Sequence, residues 1–173
     1  DDGKYRGFNG ADFGDFERRK RMALLAFPPE IAPFLDWSRM ERRMNARAVS
    51  EIRVPEEQVP REEYGKGRCL ALKAAKRRPN NIVEDSATTT PPLSSECFKQ
   101  RPEDPKFRHP TDPTRSRLPL PEEHARLKGQ PETLVRAIPW NSLAHTALGN
   151  GTTRKVWEQL SFALGCALRA AVA

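Results

Sequence analysis

The sequence predicts a mostly α-helical chain with extended, irregular, proline-rich segments and no autonomous compact fold. Three observations lead there. Leu, Ile, Val and Phe together make just under a fifth of the 173 residues. At that level charged chains rarely bury enough apolar surface to offset the backbone entropy of folding, ~1–2 kcal/mol per residue. Charged residues make up 31% and proline occurs 16 times. No segment alternates apolar and polar residues long enough to read as a strand, whereas several carry apolar residues at helical spacing.

The chain divides into three stretches. Residues 1–78 read as a helical segment behind an aromatic arm, in which Tyr5, Phe8, Phe13 and Phe16 sit among Gly3, Gly7, Gly10 and Gly14. Asp15 is the expected cap of a helix from Phe16 to Phe27, stopped by Pro28 and Pro29, with Glu17 and Arg21 paired one turn apart. A second helix is expected from Pro33 to Val49, because Trp37, Met40, Met44 and Ala48 share one stripe. A third, short one is expected from Cys69 to Arg78, ended by Pro79.

Residues 79–121 read as a linker. Proline density disfavours both helix and central strand, so the segment is expected to lie extended on a partner's surface, anchored by Phe98 and Phe107. Residues 122–173 read as helical again. Pro121-Glu122-Glu123 opens a short helix and Lys128-Gly129 closes it; Pro131 to Ile138 suggests another; Thr153 caps a last helix reaching towards Ala171. That helix carries Trp157 and Phe162 and an alanine row through Ala163 and Ala167, which permits close contact with a neighbouring subunit. It is too short and interrupted for a membrane span, which needs about 20 apolar residues.

No catalytic, cofactor or metal site is expected. Cys69, Cys97 and Cys166 are far apart, and no zinc spacing can be written with His109, His124 and His145. His124 follows two glutamates and reads as part of a solvated face; His145 reads as a packing residue. Gly149-Asn150-Gly151-Thr152-Thr153 precedes a helix and could hold a phosphate, but matches neither a P-loop nor a dinucleotide fingerprint, so a turn with an N-cap is the simpler reading.

The basic clusters carry the functional expectation. The net charge is +7, with 21 Arg and 9 Lys. Arg18-Arg19-Lys20-Arg21 is one cluster. Lys66, Arg68, Lys73, Lys76, Arg77 and Arg78 form another without an intervening acid, suited to phosphate, acidic lipid headgroups or an acidic protein face. In overall habit the chain is similar to accessory subunits of large organellar assemblies. That resemblance implies a non-catalytic structural subunit of a mitochondrial respiratory or ATP-synthesising complex. The alternative is a peripheral organellar ribosomal protein contacting rRNA. Other protein subunits are the expected partners, with no small-molecule substrate. A start at Asp1 rather than Met suggests a removed presequence and hence a mitochondrial location.

Overall fold

The computed structural model describes residues 7–23, 25–66, 82–99, 104–112 and 115–173. Its first sheet pairs β1 (Gly7–Asn9) antiparallel with β2 (Lys20–Met22), Phe8 opposite Arg21. Where a helix from Phe16 to Phe27 was expected, the described residues from Arg18 to Met22 are extended chain. From Arg18 to Met22 exposed and half-buried residues alternate, which is the period of a strand. Glu17 does not pair with Arg21 along a helix; its carboxylate is used by Lys128, far along the chain.

The helix expected from Pro33 to Val49 is replaced by short 3-10 turns at Pro29–Phe34, Trp37–Arg39 and Val49–Ile52. Met40 is buried but Met44 is 68% exposed, so the apolar stripe is not a helix face. Local and distant acceptors take the amides a helix would need. Ser38 N–H donates to Asp36 Oδ1 (2.9 Å), Arg43 N–H to the Asp12 carbonyl (3.0 Å), and Val49 N–H to the Ala87 carbonyl (2.8 Å). A short helix α1 (Arg61–Lys66) follows. The helix expected from Cys69 to Arg78, with Arg68, Lys73, Lys76, Arg77 and Arg78, lies outside the described residues.

The proline-rich middle packs on its own chain. β3 (Ile82–Val83) pairs parallel with β4 (Lys106–Arg108), and β4 antiparallel with β5 (Ser116–Arg117). Val83, Leu93, Cys97 and Phe107 join Phe16, Val49, Ile52 and Leu127 in one buried cluster. Phe107 is thus not a partner anchor but a core residue; Phe98 is 39% exposed. Prolines separate these apolar residues into short pieces, and each piece delivers one or two side chains to the same core.

Four helices complete the chain: α2 (Pro121–Leu127), α3 (Thr133–Arg136), α4 (Asn141–Asn150) and α5 (Arg154–Ala171). Ala125, Val135, Ala144 and Leu148 join α2, α3 and α4. Val156, Leu160 and Ala163 of α5 cover Phe13 and Met40, and α5 crosses the Pro29–Phe34 turn. Ala163 and Ala167 are fully buried there, so the close approach they permit is spent within the chain. Trp157 and Phe162 remain exposed at 45% and 54%.

The expectation of no autonomous fold fails for a specific reason: charged side chains do part of the work of the missing apolar ones. Arg117 is fully buried between β5 and α2, where it forms a two-pronged ion pair with buried Glu123 (Nη1–Oε2 2.5 Å, Nη2–Oε1 2.8 Å). Glu123 also accepts from the amides of Leu120 (2.7 Å) and Val54 (2.8 Å), and Arg117 Nε donates to the Tyr64 hydroxyl (3.3 Å). The guanidinium lies over the Phe107 and Tyr64 rings at 5.4 and 5.6 Å. Burial opposes its charge, but Glu123 outweighs burial and holds the guanidinium above its ordinary range.

Removing one partner of such a pair leaves the other charge buried and alone. Glu123→Ala is expected to cost ~3–5 kcal/mol in urea denaturation. Glu123→Gln removes the same charge and keeps an oxygen for only one of the two amides, so it should cost nearly as much. A loss clearly smaller in Glu123→Gln than in Glu123→Ala would show that the charge pairing is not what matters.

Candidate functional site

A cleft of about 320 Å³ is lined by Arg19, Lys20, Arg21, Pro92, Ser94, Ser95, Gly149 and Asn150. Its walls come from β2, the loop after β3 and the end of α4. Arg19 ties the three together: Nη1 donates to the Leu93 carbonyl (3.0 Å) and Nη2 to the Gly149 carbonyl (2.5 Å). Its Nε is buried without a hydrogen-bond partner, a donor that a ligand oxygen would satisfy. Gly149 is required for this closure. A Cβ there would meet the backbone N and Cα of Ser95 at 2.3 Å.

Behind Arg19, Glu17 fixes the floor. Its carboxylate accepts from the Leu93 amide (2.8 Å) and from Lys128 Nζ (2.6 Å), and both ionic side chains are fully buried. Burial pushes the Glu17 carboxyl up and the Lys128 ammonium down, each towards neutrality. Their mutual contact and the Leu93 N–H oppose that drift. Arg18 N–H to Thr90 (2.8 Å) and Thr90 N–H to Phe16 (2.7 Å) clamp the two segments in parallel.

The start of α5 is held from the same arm. Thr153 occupies the capping position but makes no capping bond with its side chain. Instead Asp15 Oδ2 accepts from Lys155 N–H (3.2 Å), and Lys128 supplies its carbonyl to Arg154 N–H (3.0 Å). Burial raises the Asp15 carboxyl to about 7, against the lowering effect of Lys155 and Thr153.

A separate buried group, Cys97, His124 and His145, has donor atoms within 4.8 Å of one another and could hold a metal. His124 was expected on a solvated face; it is fully buried. Sequence reading marked Arg18-Arg19-Lys20-Arg21 and the Gly149–Thr153 turn, but not that they meet, and it gave no sign of Ser94 and Ser95. Of the Lys66–Arg78 cluster, only Lys66 lies in a described element, at the end of α1.

No family model and no curated protein matches this sequence. Solved structures do match in fold. Entamoeba histolytica methyltransferase EhMeth superposes with a TM-score of 0.60 at 17% identity, over 95% of this chain and 53% of that one. The S. pombe Dnmt2 methyltransferase superposes at 0.61 and 16% identity, over 92% and 56%. Over most of its length the chain shares the fold of these two structures. It spans about half the length of these structures. These likenesses overturn the expectation of a non-catalytic accessory subunit or ribosomal protein, helical and dependent on partners for its order. They also overturn the exclusion of enzymes and of small-molecule substrates. The architecture is shared with enzymes and is mixed α/β, and accessory subunits or ribosomal proteins do not figure among these neighbours.

Two measurements check this geometry. Gly149→Ala should lower stability by roughly 1–3 kcal/mol, because the added methyl meets backbone rather than a side chain that could swing away. The second concerns Asp15. Its folded value lies above the unfolded one, so the folded state keeps a proton that the unfolded chain releases. Stability should then fall as pH rises from about 4 to about 7, by up to ~1.4 kcal/mol per unit, and level off above. Asp15→Asn, which keeps an acceptor for Lys155, should remove that slope; parallel pH profiles for variant and wild type would refute the assignment.

Proposed function

We propose that this chain forms part of a methyltransferase, and that its cleft meets an anionic substrate of nucleic-acid type. The observation that carries the reading is the cleft itself, in a fold similar to EhMeth and Dnmt2 methyltransferases. It combines three consecutive cations with two serine hydroxyls, the Asn150 amide and an unsatisfied buried Arg19 N–H. Such a set supplies donors for phosphate oxygens and base edges. Arg19 is fixed by two carbonyls, and its buried Nε–H has no partner within the protein. Lys20 is exposed and Arg21 half-buried on β2, placed to contact backbone phosphates at the rim.

A methyl group arrives in such reactions from a sulfonium donor, which is itself a cation. A cleft lined by Arg19, Lys20 and Arg21 repels one, so these residues do not fit the donor, and its place is not in this cleft. What the chain's own residues do here is bind and orient the methyl acceptor.

The test is fluorescence anisotropy with short single- and double-stranded DNA and RNA over a range of salt. Wild type should bind with a steep salt dependence. Lys20→Gln and Arg21→Gln should each lower the log–log salt slope by about 0.9 and weaken all sequences alike. No binding at low salt, or unchanged slopes in both variants, would remove the nucleic-acid reading. Transfer of a labelled methyl group from S-adenosylmethionine to bound nucleic acid, using the longest natural form of the protein, tests the reaction.

A further inference from the structure

Cys97, His124 and His145 come from three elements that pack in sequence: the 3-10 turn Cys97–Lys99 against α4, and α4 against α2. The two imidazole Nδ1 atoms are 3.0 Å apart and the rings stack with centroids at 5.3 Å. One donor atom of each residue lies within 4.8 Å of the other two. Cys97 and His124 are fully buried and His145 is 5% exposed. His124 Nε2 is buried without a hydrogen-bond partner, so the protein alone does not satisfy this ring.

We propose that this group binds a monovalent thiophilic metal ion, copper(I), through Cys97 Sγ and one nitrogen from each of His124 and His145. Donor number, charge and geometry select that ion. Structural zinc takes four protein ligands, and the cluster supplies three. One thiolate neutralises copper(I) completely, whereas zinc would leave a net positive charge in a dry core. Trigonal coordination at metal–nitrogen distances of about 2.0 Å and metal–sulfur of about 2.3 Å needs nitrogens about 3.5 Å apart and sulfur about 3.7 Å from each. The three donor atoms, within 4.8 Å of one another, would close by about an ångström to reach that triangle. Copper enters already as Cu(I), so no electron moves. The Cys97 S–H bond breaks, its proton leaves to solvent, and the S–Cu bond forms in its place.

The experiment is an anaerobic Cu(I) titration of the full chain against a chromophoric chelator, on a Cys69→Ser, Cys166→Ser background so that the other two thiols do not contribute. A parallel Zn²⁺ titration uses a zinc indicator. The expected result is one Cu(I) per chain, an X-ray absorption spectrum with one sulfur and two nitrogen ligands, and a higher Tm on loading. Cys97→Ser, nearly the same shape, should lower Cu(I) affinity at least 100-fold while far-UV circular dichroism stays unchanged. His145→Asn provides the second variant should the serine disturb the fold. Absence of tight Cu(I) binding by the wild-type protein, or wild-type affinity in both Cys97→Ser and His145→Asn, would overturn the site. Stoichiometric zinc on the same three ligands would overturn the choice of ion.

Discussion

The contact on which the rest depends is the one between Glu17 and Lys128, 2.6 Å apart and fully buried. Neither charge is tolerable alone in such surroundings, so each makes the other obligatory. Glu17 also takes the Leu93 amide, and the Lys128 carbonyl receives the first amide of α5. One ion pair therefore joins the N-terminal arm, the proline-rich middle, the end of α2 and the start of α5. The first two of those segments are also walls of the basic cleft. Arg19, two residues from Glu17, reaches the Leu93 and Gly149 carbonyls because Glu17 has already fixed its backbone.

The cleft and the buried Cys97–His124–His145 group share their supports. His145 and Gly149 are one turn apart on α4, and Ser95 and Cys97 are neighbours on the facing segment. Gly149 lets those two backbones approach closely, and the Thr146 hydroxyl adds a bond to the Ser95 carbonyl (3.1 Å). Whatever holds α4 against residues 94–97 therefore shapes both places.

Some elements were legible from local chemistry. Pro121-Glu122-Glu123 with Gly129 marked α2, and Gly129 does adopt a left-handed φ of 66°. The proline-free run after Thr153 marked α5. Both signals act within a few residues and survive any packing. The strands were not legible, because segments of two or three residues are too short to show a period of two. The helices expected after Asp15 and Pro33 failed because amides there find partners such as Thr90, Asp12 and Ala87, far along the chain. His124 looked solvated beside two glutamates, yet Glu123 turns inward to Arg117 and carries that helix face into the core.

By itself the sequence determined the charge, the basic clusters, the proline punctuation and the two best-marked helices, since each follows from composition or from neighbours a few positions away. It could not determine that the chain has a core, because that core counts Glu17, Lys128, Arg117 and Glu123 among its members, and paired charges look the same as solvated ones until their partners are known. Only the tertiary structure decided the pairing, and with it the cleft that brings Arg19 to Asn150 and the cluster that brings Cys97 to two histidines.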